Sequence, residues 1–248
     1  MKRFAGALGI IGLVAVWWLL AAIGVAGGTV PSPWEVLRTM YSDGWALYGP
    51  NFEITAIGAL KGFLWGNALA IGLALLVMLI PPIESLATQL AILSYCTPLL
   101  ALGPIILVVF GGRTPTVFLA AMYCFFTTMV GTVSGLRSAD PTSLDLVRAY
   151  GGGRWQQLYR VRVIAALPST FAALKIAAPS AVLGAIIGEY LGGVDSGIGV
   201  ALTAAQTSYN VPRTWGMAIA AAALAGLGYA VVALTARLAA PWTAEAAR

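Results

Sequence analysis

The stretch ITAIGALKGFLWGNALAIGLALLVMLI, which runs from Ile54 to Ile80, decides the fold class because Lys61 is its only charged residue. An α-helix crosses the hydrocarbon core of a bilayer with about 20 predominantly apolar residues. This stretch is long enough to cross, and Pro81-Pro82 follow it directly, where proline ends a helix. The sequence therefore predicts a transmembrane helix over 54–80.

The composition of the rest of the chain agrees with this interpretation. Of the 248 residues, 60% are hydrophobic and only 9% are charged, whereas a soluble domain has about 25% charged residues. There is too little polar material to face water on all sides. We predict an all-α membrane protein with a single domain over 1–248 and six spans, at 4–26, 54–80, 86–110, 116–136, 167–191 and 214–236.

The first predicted span follows Lys2-Arg3 and therefore also has the form of a signal peptide. The apolar core of a signal peptide has about 7–15 residues, and the segment 4–26 is longer and carries the bulky pair Trp17-Trp18. We interpret it as an uncleaved membrane anchor.

The distribution of basic residues predicts the orientation, because short cytoplasmic loops are enriched in Lys and Arg. With the N-terminus inside, ten of the fourteen basic residues fall on the cytoplasmic side. Both termini are then cytoplasmic. The ten are Lys2, Arg3, Arg137, Arg148, Arg154, Arg160, Arg162, Lys175, Arg237 and Arg248.

Two further features of the sequence exclude other classes. The chain has no histidine, which removes Ser-His and Cys-His nucleophile pairs and histidine-based metal sites. Cys96 and Cys124 lie in apolar runs without CxxC spacing, as expected of buried packing residues. The net charge of +5 is explained by orientation, so no nucleic-acid partner is predicted.

The longest predicted external loop joins the first two spans. Pro31, Pro33 and the pair Gly49-Pro50 are turn signals within it. We expect the chain to turn at these positions before the second span begins.

The most polar stretch, SADPTSLDLVRAYGGGRWQQLYR over 138–160, separates the fourth and fifth spans. Asp140 is a good N-cap, and Pro141 suits the first helical position because its missing N–H needs no partner there. The three glycines that follow Tyr150 end this helix, and a second short helix is predicted to begin at Arg154.

Apolar side chains on these two short helices allow two interpretations. Leu144, Val147 and Tyr150 share one helical face, while Trp155, Leu158 and Tyr159 form a second patch. A basic amphipathic segment could lie on anionic lipid headgroups. The same helices could instead be presented to a soluble partner, and composition does not choose between these interpretations.

The segment resembles the signature loop of bacterial ABC-importer permeases, which has glutamate-alanine-alanine, a glycine six residues after the glutamate, and a later leucine-proline. Asp145-Leu146-Val147, Gly151 and Leu167-Pro168 have this spacing, with aspartate in place of glutamate. Other resemblances to the nitrate, sulfonate and taurine type of permease extend the match over about 30–240. They are Val30-Pro31-Ser32-Pro33-Trp34-Glu35-Val36, the proline-containing run Tyr95–Pro104, Gly188-Glu189-Tyr190-Leu191 and Gly197-Ile198-Gly199.

The resemblance implies the type I ABC-importer permease fold in the bacterial cytoplasmic (inner) membrane, with cytoplasmic coupling helices in the loop 138–162. In that family two permease subunits form the pore, two cytosolic ATPases bind ATP and Mg, and a periplasmic or lipid-anchored binding protein delivers the solute. The solutes include nitrate, sulfonates, taurine and pyrimidine precursors. This chain has no G-x-x-x-x-G-K-[ST] phosphate loop, so we expect a permease that is not itself an enzyme and holds no cofactor.

The resemblance also implies two groups of functional residues. The candidates for ATPase coupling are Asp145, Arg148, Ala149, Gly151, Arg154 and Trp155. The candidates for the pore or its gate are Thr97, Pro98, Gly103, Pro104 and Glu189.

Three other classes remain as alternatives at this point. A secondary transporter or channel would work without an ATPase, but it predicts ion-pathway carboxylates or repeated halves, and Glu189 is the one acidic residue expected near membrane depth. A membrane-embedded enzyme lacks histidine and paired carboxylates. A non-catalytic assembly subunit would also accommodate the two-helix loop. The solute, and whether the pore pairs two copies or two related chains, stay open.

Overall fold

The computed structural model describes residues 2–83, 85–86, 89–90, 92–93 and 98–239, and these residues form helices and connecting turns without a strand. The helices are α1 (Lys2–Ala22), α2 (Pro33–Leu79), α3 (Leu99–Phe110), α4 (Thr114–Arg137), α5 (Pro141–Ala149), α6 (Arg154–Gln157), α7 (Val163–Leu191), α8 (Ile198–Thr207) and α9 (Val211–Ala239). A π-helical turn, Leu158–Arg162, joins α6 to α7.

Four helical segments are long and apolar enough to cross a membrane, namely Pro33–Leu79, Thr114–Arg137, Arg154–Leu191 and Val211–Ala239. They contain the predicted spans 116–136, 167–191 and 214–236, and all of 54–80 except Ile80, which follows α2 as its C-cap. The predicted span 4–26 is α-helical to Ala22, and a short 3-10 helix follows at Val25–Gly28. The predicted span 86–110 includes residues outside the described ranges and forms a continuous helix from Leu99.

The turn predicted at Gly49-Pro50 is wrong, because α2 begins at Pro33 and continues through these two residues. Ser32 caps this helix, since its hydroxyl accepts a hydrogen bond from the Glu35 N–H while the Glu35 carboxylate accepts one from the Ser32 N–H. The chain bends instead at Gly44, whose φ of 63° is in the left-handed region that favours glycine.

Glycines at every fourth position let α2 and α7 approach the backbone of α4. A Cβ atom built at Gly188 of α7 would lie 2.6 Å from Thr116 Cα of α4, closer than packed atoms can come. Small residues let membrane helices approach this closely. The resulting van der Waals packing stabilises helix association in lipid, where no hydrophobic effect drives it. The glycines in these two stripes are Gly58, Gly62 and Gly66 on α2 and Gly184, Gly188 and Gly192, which follow the same spacing along α7 and past its end.

One end of the bundle, which we call the Glu189 end, is held by polar and aromatic contacts. Asp43 in α2 and Arg213 in α9 form a two-point ion pair, with Nε to Oδ2 at 2.7 Å and Nη2 to Oδ1 at 2.5 Å. Trp17 of α1 stacks on Trp215 of α9 with ring centroids 5.3 Å apart. These contacts attach α1 and the first part of α2 to α9.

The opposite end, which we call the Arg162 end, is where α5 and α6 lie. Here α6, the π turn and α7 form one continuous helical segment, Arg154–Leu191. Leu158 in the π turn is buried and packs with Ala74 of α2, Leu136 of α4 and Ala166 of α7. The short helix that was predicted to be separate from the fifth span is therefore continuous with it.

Cys124 and Thr128 are buried polar residues inside the bundle that have hydrogen-bond partners. Cys124 is fully buried and its thiol donates to the Ala177 carbonyl at 3.2 Å, which confirms it as a packing residue. The Thr128 hydroxyl donates to Asn67 Oδ1 across the α2–α4 interface. Cys96 lies outside the described residues.

Candidate functional site

The Glu189 carboxylate is the centre of a buried polar cluster at the Glu189 end. Its side chain is 2% exposed. The Thr55 hydroxyl oxygen lies 2.9 Å from both carboxylate oxygens, and the Gly199 N–H donates to Oε2 at 2.9 Å. A buried carboxylate needs such donors, because an unpaired charge in an apolar interior is very costly.

The same cluster holds the start of α8, whose first N–H groups donate hydrogen bonds to side chains of two other helices. Gly197 N–H donates to Asn51 Oδ1 at 2.9 Å, and Ile198 N–H donates to Thr55 Oγ1 at 2.8 Å. Together with the bond from Gly199 to Glu189, these contacts satisfy N–H groups that a helix start leaves without helical partners. A carboxylate at this position also matches the positive end of the helix dipole.

Gly197 is required by this geometry for two separate reasons. Its φ of 133° is one that L side chains rarely adopt, and a Cβ atom there would overlap the Glu189 carboxyl group. Glycine therefore permits both the sharp turn and the approach of the backbone to the carboxylate.

The turn before α8 is tied to a fourth region of the chain. Arg113, between α3 and α4, donates to the Ser196 carbonyl at 3.1 Å and to the Ser196 hydroxyl at 2.5 Å. We call this set of contacts around Glu189, Thr55, Asn51, Arg113 and residues 196–199 the outer latch, because the orientation predicted from the basic residues puts this end outside. It connects α2, α4, α7 and α8 at a single point.

The sequence had singled out Glu189 and the Gly197-Ile198-Gly199 motif, and the structure brings these two features together. Sequence reasoning missed Asn51, Thr55 and Arg113 as their partners. Thr55 and Glu189 are 134 positions apart, and a polar side chain within an apolar run was the only local signal.

At the Arg162 end, α5 begins as predicted. The Asp140 carboxylate accepts a hydrogen bond from the Ser143 N–H at 2.9 Å, and Pro141 occupies the first turn. The Ser143 backbone N–H and hydroxyl lower the pKa of the Asp140 carboxyl. Its capping contribution is therefore present above the ordinary carboxyl pKa and is lost as the pH falls through the lowered value.

The coupling candidates lie on the surface of this segment. Arg148 Nη1 and Asp145 Oδ1 pair at 3.0 Å, with both side chains more than 60% exposed. Gly151 follows α5 in the left-handed region, with φ of 74°. Ala149 is the last residue of α5, while Arg154 and Trp155 open α6, and all three are exposed.

The predicted apolar faces of α5 and α6 divide between the protein interior and solvent. Leu144 and Leu158 are buried at 8% and 3% exposure, and Leu158 attaches the segment to the bundle. Large apolar side chains remain exposed beside them, and the faces predicted from spacing are therefore split. The exposed ones are Leu146, Tyr150, Trp155 and Tyr159, at 59%, 86%, 66% and 70%.

The pore candidates are placed on or beside α3. Thr97 lies outside the described residues, and Pro98 precedes the helix at its N-cap position rather than kinking it. Pro104 lies within α3, and the helix continues through it. Gly103 is buried where a Cβ would lie 3.3 Å from Leu191 Cβ, so α3 packs beside the end of α7 that carries Glu189.

The two groups of candidates are not brought together in space. Arg154 and Trp155 lie at the start of the continuous segment Arg154–Leu191, and Glu189 lies near its other end. At 1.5 Å per residue, the segment separates them by about 50 Å. One helical segment thus connects the exposed apolar surface to the outer latch.

A family model described as "Binding-protein-dependent transport system inner membrane component" matches residues 62–245. The chain belongs to this family. It is an integral inner-membrane permease of an ABC importer, and the resemblance read from the sequence is confirmed.

Curated relatives cover most of this permease. It is 27% identical to the formylaminopyrimidine transport permease protein ThiX of Halalkalibacterium halodurans over 93% of this chain and 92% of the relative. It is 32% identical to the riboflavin transport system permease protein RibX of Chloroflexus aurantiacus over 65% of this chain and 60% of the relative. It is 27% identical to the putative aliphatic sulfonates transport permease protein SsuC of Bacillus subtilis over 75% of this chain and 68% of the relative.

These relatives are transport permeases for different solutes, and none is described as an enzyme. Membership of a binding-protein-dependent transport family implies an ATPase and a substrate-binding protein as partners of the permease. The family therefore favours the importer over the secondary transporter, the membrane enzyme and the assembly subunit.

Proposed function

We propose that the permease forms half of the translocation pore of a type I ABC importer and is driven through the segment 138–162. The exposed apolar side chains of α5 and α6 carry this proposal. Covering such side chains with a partner removes apolar surface from water, which is favourable, and aromatic residues are favoured anchors of protein interfaces. The partner surface is a cleft on a cytosolic ATPase, which holds ATP and Mg while this chain holds neither.

The arrangement of helices supports a mechanism in which movement of α6 by the ATPase is transmitted to the outer latch. Because Arg154–Leu191 is one continuous helical segment, displacement of α6 by the ATPase moves α7. Its far end carries Glu189, and α3, with the pore candidates, packs beside that end. Closure of an ATPase pair would then change the pore through contacts that differ between the two nucleotide states.

The complete importer has two permease subunits, each with six spans and cytoplasmic termini. Apolar side chains along α1 support a further neighbour in the membrane, since Leu8, Ile11 and Leu13 are 64–71% exposed. Lipid and the second permease subunit cover these side chains in the assembled importer. The second subunit is either another copy of this chain or a related permease.

The transported solute is a small molecule delivered by a periplasmic or lipid-anchored binding protein. The names of the relatives cover a pyrimidine, a flavin and aliphatic sulfonates. Nitrate and taurine belong to the same range. This breadth supports a division of labour in which the binding protein selects the solute and the permease supplies the path.

Copurification of the ATPase tests this function. Tagged wild type is compared with a Trp155→Ala/Tyr159→Ala variant, and the control is Trp45→Ala/Tyr209→Ala, which removes aromatics that are at least as exposed from the Glu189 end. We expect ATPase affinity to fall at least tenfold, or about 1.4 kcal/mol, in the first variant alone. Mass spectrometry of the purified material identifies the partner.

The control separates loss of docking from general damage to the protein. Wild type that purifies without an ATPase, or with two variants that lose it equally, contradicts the proposed coupling surface. Solute uptake that continues without any ATPase would instead return the secondary transporter as the explanation.

A further inference from the structure

Three helices meet around the guanidinium group of Arg162. Its Nη1 donates to the Leu136 carbonyl in the last turn of α4 at 3.1 Å and lies 3.8 Å from Met78 Sδ in the last turn of α2. Arg162 itself ends the π turn that leads into α7. One half-buried side chain therefore touches the ends of two helices and belongs to the third.

The charge of Arg162 suits this position. Leu136 contributes one of the last four carbonyl groups of α4, which have no partner within the helix. Both α2 and α4 end at this side of the bundle, and a cation near a helix C-terminus is favoured by the helix dipole. The contact to Leu136 is therefore a charge-assisted hydrogen bond, which is about twice as strong as a neutral one.

The π turn explains how Arg162 reaches this position. A π turn adds one residue to an α-helical path and changes the direction of the side chains that follow it. Leu158, at the start of the turn, is buried among Ala74, Leu136 and Ala166. The turn is thus packed against α2 and α4 at its first residue and hydrogen-bonded to α4 at its last.

We propose that Arg162 is a positioning residue that makes the Arg162 ends of α2, α4 and α7 move as one body when the ATPases displace α5 and α6. The inference rests on the proposed function, because it needs an ATPase to displace the segment. Without this contact, α7 would move while α2 and α4 lag behind it. The displacement of α6 would then not be transmitted to the outer latch.

Distance measurements in the ATPase complex test this role. Nitroxide labels are attached at Ile80→Cys, just after α2, and Ile164→Cys, at the start of α7, which are 44% and 53% exposed. The background carries Cys96→Ser and Cys124→Ala. The distance between the labels within one chain is measured without nucleotide and with ATP plus vanadate.

The wild-type distance is expected to stay the same in both states. In Arg162→Gln, which removes the charge and shortens the side chain, the nucleotide is expected to change it by roughly 2 Å, the scale of helix shifts in packed proteins. Binding of the ATPase is measured in parallel, because the exposed apolar side chains of α5 and α6 are unchanged in this variant. Arg237→Gln, which removes an exposed charge from the last turn of α9, is the matched control and should behave as wild type.

Each result bears on the proposal. A distance in Arg162→Gln that does not respond to nucleotide overturns it, and so does an equal response in Arg237→Gln. If Arg162→Gln does not assemble, Arg162→Met is measured, because methionine keeps an unbranched side chain there without a charge or a donor. A distance as constant as that of wild type in the methionine variant then overturns the proposal.

Failure of this inference is distinguishable from failure of the proposed function. If wild type binds no ATPase, the proposed function fails before any distance is measured. If wild type binds the ATPase and hydrolyses ATP while the Arg162 variants keep wild-type distances, only the positioning role fails.

Discussion

At the scale of single residues, Glu189 is the position where sequence and structure inform each other most. The sequence marked it as an acidic residue near membrane depth, and such residues are often functional. The structure shows its carboxylate receiving hydrogen bonds from Thr55 and Gly199. Its first effect is therefore to hold the start of α8 against α2 and α7.

Replacement of the carboxylate measures this effect. In Glu189→Gln the amide group has only one acceptor oxygen and places an NH₂ donor against the donors of Thr55 or Gly199. We expect the variant to be less stable by roughly 2 kcal/mol, within the range for hydrogen bonds to charged groups. Thermal unfolding in detergent measures the change.

The control for this experiment is Glu53→Gln, which neutralises an exposed carboxylate on α2. It should unfold at nearly the wild-type temperature. A Glu189→Gln variant as stable as wild type would show that Glu189 already carries a proton in the folded protein and contributes no charge to the latch.

Local residue signals were interpreted correctly where the contact itself is local. Asp140 bonds to the backbone three residues later, and Gly151 needs only its own backbone angle. Asn51 and Arg113 could not be recognised, because their partners Gly197 and Ser196 are 146 and 83 positions away. Packing, which the sequence does not display, chooses these partners.

At the scale of helices, the glycine stripes determine how closely α4 is enclosed. Gly188→Ala places a methyl group 2.6 Å from Thr116 Cα, and this backbone atom cannot move aside easily. Overpacking of this kind costs about 1–3 kcal/mol. We therefore expect a lower unfolding temperature for this variant in detergent.

The matched control should change stability in the opposite direction. A Cβ atom at Gly226 in α9 has no neighbour within 4 Å among the described residues. Alanine is a better helix former than glycine by about 1 kcal/mol, so Gly226→Ala should be neutral or stabilising. Equal destabilisation by both changes would contradict the close-packing explanation.

Helix boundaries were predicted well where apolar runs meet strong stop signals, as at Pro81-Pro82. They were predicted poorly where the cap mattered more than hydropathy. Ser32 and Glu35 have the spacing of a capping box, which marks the start of a helix. This signal was not used when a turn was predicted at Gly49-Pro50. Helix α8 was missed because its start depends on the outer latch, and α6 was separated from α7 because the π turn has no clear sequence signal.

At the scale of the whole molecule, the distribution of basic residues predicts which end of the bundle faces the cytoplasm. The Arg162 end should lie inside and the Glu189 end outside. Tyr150 and Tyr209 mark these two ends and are 86% and 90% exposed. They are suitable positions for labelling because substitution removes no buried contact.

Cysteine labelling in whole cells tests the orientation. A maleimide that does not cross membranes should label Tyr209→Cys in intact cells and label Tyr150→Cys only after the cells are permeabilised. The reverse pattern would invert the protein and remove the proposed ATPase surface from the cytoplasm. Labelling of both positions in intact cells would contradict a membrane barrier between the two ends.

The outer latch also has a consequence for biosynthesis. Its side chains on α2 leave the ribosome long before Gly197, Ile198 and Gly199 exist to bind them. Until then they have temporary partners within their own helix, because the Thr55 hydroxyl lies 3.0 Å from the Asn51 carbonyl and Asn51 Nδ2 donates to the Leu47 carbonyl at 2.8 Å. Helix α2 can thus enter the lipid with these polar groups satisfied and wait for the last third of the chain.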